Sequence, residues 1–413
     1  MNTRSFLLST RVVLLGAVTA QSIPLLGSLL ITRLYAPTEF GYFAAWMGIV
    51  MIATVMVTGR LEMSLVIEPD GEPRKFAMMA TLVTIVGAST ALLLVSICAY
   101  WVVPAIRNLT PSLSLMFLPA TLLAAVVQTW QSWAAAEGLY RELSWMRIAQ
   151  ALGVTGVQII VGWFAPDAPS LAFGYVLGIF SGMCVAAYFL PVTLYSLKPW
   201  PKFKIKLKAF WMRHRRFPLF ALPADFINTA ASQLPILIIA TKFGAEFSGL
   251  FALTIRVLGA PIGLLGAAVL DVFKRSAAIS YREKGNCRNE YIRAFRLLAP
   301  LAVLLAFGIM IAAEPIFVLA FGEPWRQAGV ISVWLMPMFA MRFVASPLSY
   351  VFYITGKQQV DLVWQCALLA MTLSTFLLPS NFEASVIYYS VGYSLLYLIY
   401  IILSYRFSMG RPK

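Results

Sequence analysis

The stretch SIPLLGSLLITRLYAPTEFGYFA, residues 22–44, recurs in altered form as QLPILIIATKFGAEFSGLFA, residues 233–252. With short gaps, Pro24 meets Pro235, Thr32 meets Thr241 and Arg33 meets Lys242. The G-Y-F-A of Gly41–Ala44 meets the G-L-F-A of Gly249–Ala252. A second pair keeps nearly the same offset: AAEGLYRELSWMRIAQ at 135–150 against YITGKQQVDLVWQCAL at 353–368. Each of these stretches joins two apolar runs, so the chain reads as a duplicated unit.

Working outward, the apolar runs lie near 10–34, 40–60, 76–104, 112–135, 145–165, 170–195, 218–242, 247–270, 296–319, 328–352, 360–379 and 384–405. They are continuous. A membrane barrel would instead show short segments alternating apolar and polar residues. Runs of about 20 apolar residues fit helices that cross a bilayer. The chain is therefore read as an all-α integral membrane protein with about 12 transmembrane helices. Each repeat holds six, an even number, so both copies enter the membrane in the same direction. That gives two parallel six-helix lobes related by an axis along the membrane normal, a plan found in transporters. The expected boundaries are an N-terminal lobe at 1–197, a basic cytoplasmic linker at 198–216 and a C-terminal lobe at 217–413.

Composition agrees. Of 413 residues, 60% are hydrophobic and only 12% charged, about half the charged share of a soluble domain. Mean hydropathy is +0.81. The net charge is +15, from 32 Lys+Arg against 17 Asp+Glu. In a soluble chain that excess would suggest nucleic acid. Here it follows the connecting segments. With both termini in the cytoplasm, 26 basic residues fall on the inner side, 4 on the outer side, and Arg256 and Arg342 within helices. Positive charge marks cytoplasmic loops, so the excess is read as orientation, with both termini cytoplasmic and no nucleic-acid partner. The stretch Lys198–Arg216, with Trp200, Phe203, Phe210 and Trp211 among its charges, reads as an amphipathic segment on the inner surface, in contact with membrane lipids. Ala17–Ala20 resembles a cleavage site, but the apolar run continues to Leu34, which favours an uncleaved first helix.

Four cysteines, Cys98, Cys184, Cys287 and Cys366, and the single histidine His214 give no metal-ligand spacing and no disulfide framework. No GxxxxGK[ST], HExxH or GxSxG occurs, and no loop is long enough for a catalytic domain. The chain is read as a non-enzyme with no bound cofactor.

Charges at membrane depth need a protein or water-filled surrounding. The candidates are Arg256, Asp225, Arg342, Arg11 and Arg60. Arg256 suits a phosphate or pyrophosphate, because the guanidinium fork matches such oxygens; the competing reading is a structural ion pair with Asp225. Asp225 is a charge partner, a helix-start residue, or a proton or sodium site that energises transport. Arg60 and Glu62 form a local pair closing the second segment, and Arg342 lies near Pro337 and Pro347. Gly174, Gly178 and Gly182, and again Gly259 and Gly263, read as close-packing ridges without a ligand.

These residues carry a resemblance. ITRLYAPTEFGYFAAWMGIV (31–50), GRLEMSLVIEPDGEPRKF (59–76), SQLPILIIATKFGAEFSGLFALTIRVLGAPIGLLG (232–266) and FGEPWRQAGVISVWLMP (321–337) resemble the Wzx-type oligosaccharide flippases. Those belong to the multidrug/oligosaccharidyl-lipid/polysaccharide superfamily, with the MATE antiporters and the lipid II flippases. The resemblance implies a MATE-like V-shaped fold with a cationic cleft. It implies as substrate an oligosaccharide repeat unit on undecaprenyl diphosphate, flipped to the periplasmic leaflet by alternating access for polysaccharide or lipopolysaccharide biosynthesis. Other polysaccharide-assembly proteins would be partners. Arg256 and Asp225 fit the cavity by position, with Arg11 and Arg60 beside them. The alternatives are a MATE-like cation-coupled antiporter of small molecules, disfavoured because residues 1–38 hold no acid, and a membrane enzyme or scaffold of polysaccharide assembly.

Overall fold

The computed structural model describes residues 3–102, 111–189 and 200–410, with the side chains of 3–15, 17, 99–102, 200–202, 261, 264, 267, 268, 271 and 358 outside that description. Among the described residues every regular element is helical. The helices are α1 (Thr3–Leu34), α2 (Pro37–Thr58), α3 (Glu72–Val102), α4 (Pro111–Ala136), α5 (Tyr140–Gly162), α6 (Ala168–Phe189), α7 (Trp200–Arg213), α8 (Leu222–Lys242), α9 (Ala245–Pro261), α10 (Ala267–Lys284), α11 (Arg288–Phe321), α12 (Arg326–Leu348), α13 (Gln358–Leu377) and α14 (Phe382–Ser408). Within the described residues, each of the twelve apolar runs falls on a helix. Nine of the described helices are long and apolar enough to cross a membrane. Among the described side chains of α1, Val18–Leu34 forms a shorter apolar stretch. Helix α5 carries Arg141, Glu142 and Arg147, and α9 stops at Pro261, where a π turn over Ile262–Gly266 begins.

The chain divides into two compact units, Met1–Gln233 and Leu234–Lys413, with the boundary inside α8. In the first unit α5 packs along α6, and α1 along α5. Glycine permits both contacts. A Cβ on Gly178 would sit 2.2 Å from the backbone nitrogen of Val154, and one on Gly174 2.5 Å from Gln158 Cγ. Gly27 of α1 meets Thr155 in the same way, at 2.1 Å. Helices in lipid gain from such close approach because dispersion contacts replace the hydrophobic drive that water would supply. Gly259 behaves differently: its added Cβ would meet only Phe339, at 4.0 Å, so Gly259 itself makes no such close approach.

Helix α7 realises the amphipathic reading of 198–216. Phe203, Leu207 and Phe210, spaced at helical intervals, are buried against Met78, Met79 and Phe76 of α3, while Lys204, Lys206 and Lys208 are exposed. Each buried aromatic or leucine withdrawn from water contributes about 1.5–3 kcal/mol. Ile205 and Met212 stay exposed.

In the second unit α12 is the central helix, packed on α9, α11 and α14. Trp364 stacks on Tyr400 and meets Tyr397 at a tilt, and Tyr389, Tyr393 and Tyr397 continue the row along α14.

The duplication is visible in local geometry. Gly138 and Gly356, aligned in the second repeat pair, have φ of 72° and 68°. Each ends a helix, with the next amide bonding five residues back: Leu139 to Ala134 at 2.9 Å, and Lys357 to Phe352 at 2.7 Å. This is the left-handed helix stop that favours glycine. Thr32 and Thr241 likewise both donate to the carbonyl four residues earlier.

Candidate functional site

The first unit joins two of the sequence candidates. The turn after α2 places Gly59 and Arg60 both in the left-handed region, and Arg60, at φ 58°, is the only non-glycine residue there among the described residues. That conformation is sparsely populated by side-chain-bearing residues and is held by its surroundings. The surroundings are specific. Arg60 Nε donates to Asp225 Oδ2 at 2.5 Å, Nη1 donates to Glu62 Oε1 at 3.1 Å, and the Arg60 amide donates to Thr58 Oγ1 at 3.3 Å. Gln128 of α4 donates to the same Glu62 oxygen at 2.9 Å. Asp225 is thus the charge partner of Arg60, and the carboxylate that the sequence offered to Arg256 is engaged within the first unit.

Beside this cluster lies a cavity of about 590 Å³ within the first unit. Gln128, Gln131 and Gln150 line it with Thr54, Tyr175, Thr229, Ser232 and Gln233; Val55, Ala124, Val127 and Ile179 supply apolar wall. Arg147 Nη2 donates to Gln131 Oε1 at 3.4 Å. Amides and hydroxyls both donate and accept, and a ligand site typically sets a few such groups in an apolar wall. The arrangement can bind a neutral polyhydroxylated group, with Arg147 half-buried beside it. Sequence reasoning missed the glutamines. Their signal was present as amides inside apolar runs, Gln128 and Gln131 three residues apart on one helix face, but attention to charge passed over them.

The remaining candidates lie elsewhere. Arg256 is half-buried on α9 in the second unit. Arg342 lies on an exposed face of α12, within electrostatic reach of Tyr389, Tyr393 and Tyr397, and α12 runs unbroken through Pro337 as far as Leu348. The side chain of Arg11 lies outside the described residues. Lys242, the repeat partner of Arg33, donates to the carbonyls of Phe376, Leu377 and Pro379 at 2.6–3.1 Å, a cation at the C-terminal end of α13 where the helix dipole favours one.

The family described as polysaccharide biosynthesis protein matches residues 30–330. A teichuronic acid biosynthesis protein of Bacillus subtilis (strain 168), TuaB, is 22% identical over 213 residues. That match takes in 49% of this chain and 44% of TuaB, so the chain spans under half the length of this relative. Among solved structures, the lipid II flippase MurJ in an inward closed conformation aligns with a TM-score of 0.71 at 13% identity, over 95% of this chain and 87% of that one. An inward-facing multidrug resistance MATE family transporter of the MOP superfamily aligns with a TM-score of 0.67 at 12% identity, over 94% of both chains. At such identities the likeness is one of fold, and the fold is the all-helical one of that superfamily.

Proposed function

The chain belongs to the polysaccharide biosynthesis protein family, and from that premise we propose that it flips undecaprenyl-diphosphate-linked oligosaccharide repeat units from the cytoplasmic to the periplasmic leaflet. A multi-pass membrane protein with the fold of flippases and transporters supports that class of activity. The observation that carries the finer reading is the amide- and hydroxyl-lined cavity of about 590 Å³. Sugar hydroxyls need partners that donate and accept, and glutamine side chains supply both. Binding a sugar in this way favours transfer only if the cavity opens to each side in turn. In this reading twelve helices form two lobes, 1–197 and 217–413, joined by 198–216, and the lobes rock while the lipid chain stays in the bilayer. Both termini then face the cytoplasm of a bacterial inner membrane. Arg256 and Arg342 are assigned to the diphosphate in the second lobe, and Arg147 to the headgroup in the first. A drug antiporter would be served better by an aromatic, amide-poor cavity.

The test is deletion of the gene followed by extraction of undecaprenyl-linked intermediates. Complete repeat units should accumulate on the inner leaflet, with polymer absent outside. Unchanged surface polysaccharide together with raised drug sensitivity would overturn the proposal. Complementation with Gln131→Ala or Gln150→Ala should lower export about fivefold each at unchanged protein level, since one hydrogen bond contributes about 1 kcal/mol.

A further inference from the structure

Gln128 and Gln131 lie three residues apart on α4, so they are neighbours on one helix face, about 5–6 Å apart at Cβ. Both line the cavity of the first unit. Each is also held by a charged side chain from another element. Gln128 Nε2 donates to Glu62 Oε1 at 2.9 Å, and Gln131 Oε1 accepts from Arg147 Nη2 at 3.4 Å.

A glutamine amide can turn over about its last bond, so which end faces a cavity is ordinarily free. Here chemistry fixes it. The Glu62 carboxylate, paired with Arg60 at 3.1 Å, only accepts, and must meet the NH2 of Gln128. A guanidinium only donates, and must meet the carbonyl of Gln131. Gln128 Oε1 and Gln131 Nε2 are thereby left without a protein partner among the described residues. The cavity wall offers one acceptor and one donor in fixed places.

A hydroxyl does not need that arrangement. It rotates, donates and accepts, and would bind either glutamine in either sense. A secondary amide does need it. Its trans plane directs N–H and C=O oppositely, one end only donating and the other only accepting. Ala124 and Val127, each four residues before one of the two glutamines, line the same cavity and give an acyl methyl an apolar seat.

We propose that Gln128 and Gln131 form the subsite of an acetamido group, so that the cavity takes an N-acetylamino sugar. The sugar N–H donates to Gln128 Oε1, and the acetyl carbonyl accepts from Gln131 Nε2. Glu62 and Arg147 are positioning residues, acting on the sugar through the glutamines whose sense they set. The assignment rests on the flippase reading, whose cavity it uses, and binding tests it apart from export.

The experiment is saturation-transfer NMR of the full chain in detergent, with methyl N-acetylglucosaminide and methyl glucoside as probes. Wild type should transfer saturation to the acetamido methyl and bind that probe about fivefold more tightly than the glucoside, the equivalent of one hydrogen bond. Gln128→Lys keeps a donor toward Glu62, whose Oε2 is buried without a partner, but removes the acceptor. Gln131→Glu keeps an acceptor for Arg147 but removes the donor. Both should melt no lower than wild type and lose the preference. Arg147→Gln frees Gln131 to turn, so the ratio of the two affinities should fall toward one. Equal binding of the two probes by wild type would overturn the assignment, as would no transfer to the acetamido methyl or an unchanged ratio in the three variants. A preference lost only together with a lowered melting temperature in both Gln128→Lys and Gln131→Glu would reduce the pair to bracing and equally overturn it. Selective binding beside unchanged surface polysaccharide on gene deletion would instead remove the flippase reading and leave the subsite standing.

Discussion

Arg60 Nε meets Asp225 Oδ2 at 2.5 Å, bridging 165 residues of sequence. The arginine reaches it from a left-handed backbone position, with Glu62 held on its other nitrogen. Removing either partner leaves a half-buried charge without its counterion. The side chains are 21% and 30% exposed, so the cost falls below the 3–5 kcal/mol of a fully buried pair and is about 1–3 kcal/mol. Arg60→Ala and Asp225→Ala should each lower the unfolding temperature in detergent. The exchange Arg60→Asp with Asp225→Arg should recover part of that loss. Single variants that melt like wild type would show the pair to be without consequence.

Gly178 and Gly259 make opposite predictions from one substitution. An added Cβ at Gly178 strikes the Val154 backbone at 2.2 Å, which cannot move aside as a side chain can. Gly178→Ala should destabilise by about 1–3 kcal/mol through overpacking of α5 on α6. Gly259→Ala meets nothing nearer than 4.0 Å and should be neutral or stabilising by about 0.4–1 kcal/mol, as for a helical glycine replaced where space allows. Thermal unfolding of the two variants side by side checks both signs.

Cys287, just ahead of α11, is buried while Cys98, Cys184 and Cys366 are exposed. Burial, and then the charge of Glu290, push the Cys287 thiol up to about 11. Only the thiolate reacts, so alkylation at neutral pH should be slow and should rise steeply only toward pH 11. The sign for stability follows. The folded state holds this proton more tightly than the unfolded chain does, so the contribution is complete below the ordinary thiol range and is lost as pH rises through about 11. Mass spectrometry of alkylated protein at graded pH checks this; fast modification of Cys287 at neutral pH would refute it.

Orientation is tested on α7. Lys204 is exposed in the segment that the charge count assigns to the cytoplasm. In a cysteine-free background, Lys204→Cys should be protected from an impermeant thiol reagent in intact cells and labelled in inverted vesicles. Labelling in intact cells would reverse the topology.

The candidate site was only partly legible in the sequence. Arg60, Glu62 and Asp225 stood out because charge is conspicuous in an apolar chain. The partner of Asp225 did not, since Arg60 and Arg256 are equivalent until the chain is folded. Gln128 and Gln131 carry no charge, and an amide in an apolar run gives no sign of whether it faces a cavity, a neighbour or a carbonyl. Gln158 shows the ambiguity: it donates to Leu171 O and its own carbonyl accepts from Tyr35, so it braces helices.

The sequence by itself determined the all-helical membrane class and the duplication. Both rest on local properties: the transfer of some twenty successive residues into hydrocarbon, and backbone stops such as Gly138 and Gly356 that recur wherever the same turn is built. Only the tertiary structure decided that Arg60 takes Asp225, that one oxygen of Glu62 is left without a donor, that four glutamines share a cavity wall, and that Gly178 but not Gly259 marks a close approach. Each depends on which helix lies opposite, and helix faces in an apolar chain are chosen by close packing and polar pairing between distant segments, terms that no single segment contains.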